Sequence, residues 1–248
     1  LLDLKKGSPE PEMALKDAQR RLANLTAAEL EAQQIDLWED MLNEPDAALS
    51  AKMFTFGFAK TFDPHDSSTP AKPFPEPFDR PGLVELIELW ANSSLLLVEK
   101  SRQELISWLF CTLYTWETIR YRNKFTFFQA RKLKDAGLGP PKLALLWRAK
   151  FIINNLPGAI RPSYKEHRRD HILELDSTGS SIMGISADFD GFRLYTGSGV
   201  LADELAYQPN AEGGFQAVHP TLGEGCRYTG ISSPNGKNWF YRKAYDRA

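Results

Sequence analysis

The stretch GVLADELAYQ, residues 199–208, sets two carboxylates, Asp203 and Glu204, side by side at the end of an apolar run. Gly199 to Ala202 read as a buried strand, and the chain turns apolar again after the acids. Like charges in a poorly solvated place repel, so they require a cation, a proton or a reaction. An Asp at the carboxyl end of a parallel strand can hold Mg²⁺, and a Glu beside it can orient a water toward a γ-phosphate, the pattern called Walker B. Apolar-apolar-Asp-Glu also ends strands by chance, and a solvated strand terminus is the competing interpretation.

A phosphate-binding turn belongs upstream of such a pair, between a strand and a helix. LLLVEKSRQELISWLF, residues 95–110, has that order. Ser107 stands where a hydroxyl would meet Mg²⁺, and Lys100 and Arg102 could meet phosphate oxygens. The usual G-x-x-x-x-G-K-[ST] spacing is missing: the turn has no glycine, Ile106 precedes Ser107 where a lysine is expected, and Glu104 adds a negative charge.

The rest of the chain is organised around these two places. Residues 8–50 carry Leu22, Leu25, Leu30, Ile35 and Leu37 at roughly helical spacing, which predicts amphipathic helices forming an arm over residues 1–62. DPHDSSTPAKPFPEPFDRP, 63–81, predicts an extended connector. Residues 82–248 alternate helix and strand: GLVELIELWANS, LLLV (95–98), ISWLFCTLYTWETI (106–119), KFTFFQ (124–129), and a helical region over 131–156 closed by Pro157 and Gly158. HILELD and SSIMGIS, joined by STG, predict a hairpin, CRYTGIS (226–232) a last strand, and NWFYRKAYD a helix. Strands separated by helices imply a parallel sheet with crossover connections, in a three-layer α/β domain.

Bulk properties narrow the function classes. At 248 residues and a net charge of −2, the chain fits one main domain with no global basic field, so nucleic-acid contact would need a local patch or pooled subunits. No run of about 18 apolar residues exists to cross a membrane. Cys111 and Cys226 are too far apart for a C-x-x-C site, and a reducing compartment suits them. KEHRRDH, 165–171, reads as a solvated loop, with a DNA-facing patch as the alternative. TGSG, 196–199, precedes a strand and so fails as a dinucleotide fingerprint. Phe125, Phe127 and Phe128 suit a buried strand, and Trp90, Trp108, Trp116 and Trp147 suit a core.

In order along the chain, VEKSRQELISWLF, KFTFFQARK, SSIMGISADFDGFRLYTGSGVLADELAYQ and YTGISSPNGKNWFYR resemble the ATPase domain of the large terminase subunit of tailed bacteriophages, over about residues 73–246. The resemblance implies a P-loop NTPase-type three-layer sandwich, with a mostly parallel central sheet and the N-terminal helical arm. It also implies an ATP- and Mg²⁺-dependent motor that moves double-stranded DNA into a procapsid. Lys100, Ser101, Arg102, Gln103 and Ser107 fall on a variant Walker A loop whose cation is displaced to its front. Asp203 falls on the metal-binding acid and Glu204 on the catalytic one. Ser232, Ser233, Pro234, Asn235 and Gly236 match a coupling motif that senses the γ-phosphate, and Arg193 matches an arginine finger reaching a neighbouring subunit. Glu104 and Leu105 depart from the family's small or neutral loop residues. The implied partners are DNA, a portal protein, a small terminase subunit and a homo-oligomeric ring, commonly of five. The implied location is the host cytoplasm, docked on the procapsid, and the nuclease domain is expected to be absent from this chain. A nucleotide-binding or assembly module without productive hydrolysis is the alternative.

Overall fold

The computed structural model describes residues 27–101, 105–139, 144–188, 197–221 and 225–245. Its centre is a seven-stranded sheet of β3 (Leu95–Glu99), β4 (Phe125–Ala130), β5 (Tyr164–His167), β6 (Ile172–Leu175), β7 (Ser181–Ser186), β8 (Gly199–Asp203) and β9 (Arg227–Ser232). The spatial order is β3-β9-β8-β4-β7-β6-β5. Every pairing from β3 to β7 is parallel, and β6 and β5 complete the sheet antiparallel. The fold is thus the mostly parallel α/β sandwich expected, including the β6–β7 hairpin.

Alternation along the strands builds two cores. Phe128, Leu201 and Ile231 face one side, where they pack with α1 (Ala27–Asn43), α2 (Ala47–Gly57), α3 (Pro81–Ala91), α4 (Ile106–Arg120) and α6 (Leu145–Asn154). Phe127, Val200 and Tyr228 face the other, against Phe215 and Val218 of α7 (Ala211–Val218) and Phe240 of α8 (Trp239–Tyr245). A short helix, α5 (Leu133–Ala136), follows β4.

Three segments gain detail beyond the sequence reading. Within the segment expected as a helical arm, α2 packs into the core: Ala51 and Phe54 are fully buried, and Asp46 caps the helix through the Ala48 and Leu49 amides at 2.9 and 3.1 Å. The stretch expected as an extended connector holds β2 (Ala71–Pro73), paired antiparallel with β1 (Lys60–Phe62). KEHRRDH is no loop at its start, because β5 takes Tyr164–His167 as an edge strand. The tryptophans Trp90, Trp108 and Trp116 are buried as expected, and Trp147 packs partly buried beside them. Cys111 and Cys226 are both buried thiols, and burial pushes the Cys111 thiol up to about 12.

Helix α4 is buried on nearly all sides because it runs through the middle of the first core, and its first turn reaches the sheet's carboxyl edge. Tyr114 fixes its height over β8. The Tyr114 hydroxyl donates to the Val200 carbonyl at 3.0 Å and lies 2.9 Å from Thr229 Oγ1. Its ring rests on Gly199, where a Cβ would come within 2.6 Å of Tyr114 Cε1. Gly199→Ala should therefore destabilise the chain by about 1–3 kcal/mol through overpacking. Urea unfolding checks this, and the expected result is a lower midpoint with an unchanged slope. An unchanged midpoint would show that the ring is not clamped.

Candidate phosphate-binding and hydrolytic site

Four parallel strands end on one edge, and the register brings their last residues level. Glu99 of β3 pairs with Ser232 of β9, Asp203 of β8 with Ile231, and Gln129 of β4 with Ala202. Lys100, Asp203–Glu204 and Ser232–Ser233 thereby meet, although Lys100 and Glu204 are 104 residues apart in sequence. The carboxyl edge of parallel strands is where α/β sheets bind ligands.

Lys100 Nζ lies 2.8 Å from Glu204 Oε1 and 3.9 Å from Asp203 Oδ1. Ser107, in the first turn of α4, donates to Asp203 Oδ1 at 3.2 Å, and the Glu204 amide donates to the same oxygen at 2.9 Å. The other oxygen of Glu204 accepts from Ser233: its amide is at 3.3 Å and its hydroxyl at 3.0 Å. Ser232 Oγ is 3.4 Å from that oxygen, and it accepts from the Ala206 amide at 3.1 Å. The two acids share a site but not an environment. Burial pushes the Asp203 carboxyl above the ordinary carboxylate range, against the pull of Arg148 and Lys100, and the Glu204 charge adds to the rise. Burial acts upward on Glu204 too, but Lys100 and the Ser233 donors outweigh it and hold that carboxyl below its ordinary value.

The backbone is bent at the same edge. Glu204 (φ 50°) and Leu105 (φ 58°) both adopt the left-handed conformation, which is costly for residues other than glycine. The turn before α4 thus places a leucine where a glycine would be relaxed.

Of the residues expected from sequence, Lys100, Ser107, Asp203, Glu204, Ser232 and Ser233 converge. Ser101 follows Lys100 at the surface. Asn235 instead braces the turn after Glu204, donating to the Ala206 carbonyl at 2.9 Å, and Asn238 donates to the same carbonyl at 2.7 Å. Arg102, Gln103 and Arg193 lie outside the described residues, as does Glu104.

A cleft of about 430 Å³ opens beside the acids and is lined by Arg131, Asp135, Arg148, Asp203, Glu204 and Ser233, among others. Sequence reasoning missed Arg131, Asp135 and Arg148. ARKLKD directly after the β4 strand was a signal for the first two, because it sits at the same carboxyl edge. Arg148 had none, since LLWRAKFIIN looks like any amphipathic helix. Its guanidinium lies over the ring of Trp108, 5.3 Å from the centroid, and Trp108 is next to Ser107 in sequence.

These features define a mostly parallel α/β domain with a charged cleft of about 430 Å³ at its carboxyl edge. Among solved structures, the chain is similar to the ATPase domain of the Thermus phage P74-26 large terminase, in an arginine-to-alanine mutant, with a TM-score of 0.54, 20% identity and coverage of 64% of this chain and 67% of that one. It is also similar to the HK97 bacteriophage large terminase (TM-score 0.57, 12% identity, 75% of this chain and 37% of that one) and to the large terminase of a thermophilic bacteriophage (0.54, 13%, 66% and 42%). The chain thus spans less than half the length of the last two. Its fold is that of the large terminase ATPase domain. No family model matches the chain, and no curated protein matches it.

The raised carboxyl has a measurable signature. Asp203 holds its proton more tightly folded than unfolded, so its cost to stability is absent below the ordinary carboxylate range and grows as pH rises through the raised value. Asp203→Asn should match the wild type near about pH 4 and gain stability over it as the pH rises toward about 7. Denaturant unfolding at both pH values checks this, and a gap independent of pH would contradict it.

Proposed function

We propose that this chain is the ATP-hydrolysing motor domain of a viral DNA-packaging terminase, a machine that drives double-stranded DNA into a procapsid. The observation that carries the reading is the meeting of Lys100, Ser107, Asp203, Glu204 and Ser233 at one sheet edge, within a fold shared with large terminase ATPase domains.

The residues present fit a triphosphate and Mg²⁺. Asp203 and Ser107 offer a carboxylate and a hydroxyl oxygen 3.2 Å apart, the hard donors that Mg²⁺ takes. Among the described residues no three His, Cys, Asp or Glu gather to cage an ion, so phosphate and water would complete its shell. When bound, the ion supplies charge neutralisation at the phosphate oxygens. Lys100, at the front of the turn, counters phosphate charge. Glu204 aligns the attacking water and accepts its proton. Ser232 and Ser233 hold its second oxygen and sit where a change in phosphate occupancy would be felt. Arg148 adds a second cation from within the same chain, fixed against Trp108.

In this reading Arg193 reaches the site of the next subunit in a ring, commonly of five, and an arginine so supplied is worth about 10³–10⁵ in rate. A lone subunit then hydrolyses ATP slowly. A portal protein and a small terminase subunit complete the machine, on a procapsid in the host cytoplasm. Among the described residues no helix is long and apolar enough to cross a membrane.

Steady-state ATPase of wild type and Glu204→Gln, with and without duplex DNA, tests the proposal. The expected outcome is a DNA-stimulated rate that falls about 10²–10⁴-fold in the variant. Equal rates in the two proteins would overturn hydrolysis and leave a nucleotide-binding or assembly module.

A further inference from the structure

Directly after β4, the residues Arg131, Lys132 and Lys134 place three cations within four positions, and all three are exposed. The whole chain carries −2, so this is a local excess against a slightly negative background. None of the three has an ion-pair partner among the described residues. The other basic run behaves differently: Lys165 lies 3.2 Å from Asp176, His167 2.8 Å from Glu174, and Arg168 3.4 Å from Glu166. Lys165 and Arg168 of that run are thus paired with nearby acids, while the cations of the first run are not.

The first run also stands on a fixed platform. The short α5 is anchored by Ala136, which is fully buried. Gly184 of β7 allows this approach, since a Cβ there would come within 2.7 Å of the Ala136 carbonyl oxygen. On the far side the Leu138 amide donates to His171 Nδ1 at 3.1 Å. The lysines are thus displayed from backbone that is already held in place, which lowers the ordering cost of a contact. Arg131 belongs both to this ledge and to the lining of the cleft that holds Glu204.

Resting on the motor reading above, we propose that Arg131, Lys132 and Lys134 form a docking ledge for the phosphate backbone of duplex DNA, with Arg131 joining the ledge to the catalytic cleft. The composition favours a nucleic acid over an acidic protein. Protein interfaces are depleted in lysine, whereas lysine and arginine on a rigid edge neutralise phosphates and release counterions. The ledge reads charge and carries no base specificity. Through Arg131, occupancy by DNA and the state of the cleft act on one another.

The test measures binding of a fluorescent duplex oligonucleotide by anisotropy across salt, for wild type and for the double variant Lys132→Ala/Lys134→Ala. Neither lysine lines the cleft, so ATPase without DNA should stay unchanged while its stimulation by DNA is lost. Each phosphate contact contributes about 0.9 to the slope of log affinity against log salt. The double variant should therefore lose about 1.8 in slope, so that between about 50 and about 200 mM salt its affinity falls roughly tenfold less than that of the wild type. Equal slopes, or no measurable binding by the wild type at about 50 mM salt, would overturn the ledge, and an acidic protein would then be the remaining partner for it. The two proposals fail separately. A chain without ATPase whose DNA binding still follows the lysines keeps the ledge and loses the motor, and an active ATPase with equal slopes does the reverse.

Discussion

Everything at the carboxyl edge depends on the neutralisation of an acidic pair by a lysine from another strand. Asp203 is only 13% exposed at its side chain, and two adjacent carboxylates in such a place are untenable without positive charge. Lys100, itself nearly buried, supplies it from the end of β3, with Arg148 contributing from α6. This meeting is possible because β9 lies between β3 and β8 and all three run parallel, so their ends arrive level. An antiparallel β9 would leave a turn between the lysine and the acids.

The middle strand also ties the site to its surroundings. The Lys100 amide donates to the Ser232 carbonyl at 2.9 Å, while Ser232 Oγ accepts from Ala206 and Ser233 holds Glu204. Asn235 and Asn238 grip the Ala206 carbonyl from the segment that follows, and Tyr207 donates to the Pro234 carbonyl at 3.0 Å. The turn after Glu204 and the segment after β9 are therefore laced together. The Glu204 carboxylate and residues 233–238 thus belong to one contiguous hydrogen-bonded network.

Much of this was legible in the sequence, and the gaps have physical causes. Apolar runs of strand length gave β4, β8 and β9, because central parallel strands are buried on both faces, and they gave β3 because its LLLV run is partly buried although it lies at the sheet edge. Phe127 and Phe128 had to point to opposite sides, and they do. The Asp203–Glu204 pair advertised its site through an electrostatic cost that nothing local offset. Edge strands were harder: β5 reads as a polar loop because edges tolerate charge, and the three-residue β1 and β2 sit in or beside proline-rich sequence. The helix α2 looked like part of an arm because burial against α3 and α4 is a tertiary fact. Arg148 was invisible for the same reason, since its role comes from the crossing of α6 over Trp108 and from nothing within its own helix.

The closed charge pairing at Lys100 has a consequence for how an anion would enter. Because the ammonium already has a carboxylate for company, a phosphate arriving as proposed would not fill a vacant electropositive hole but would exchange partners with Glu204. The first product of that exchange is a liberated carboxylate oxygen, still steadied at its other end by Ser233. Ligand entry and the release of that carboxylate oxygen would then be a single event.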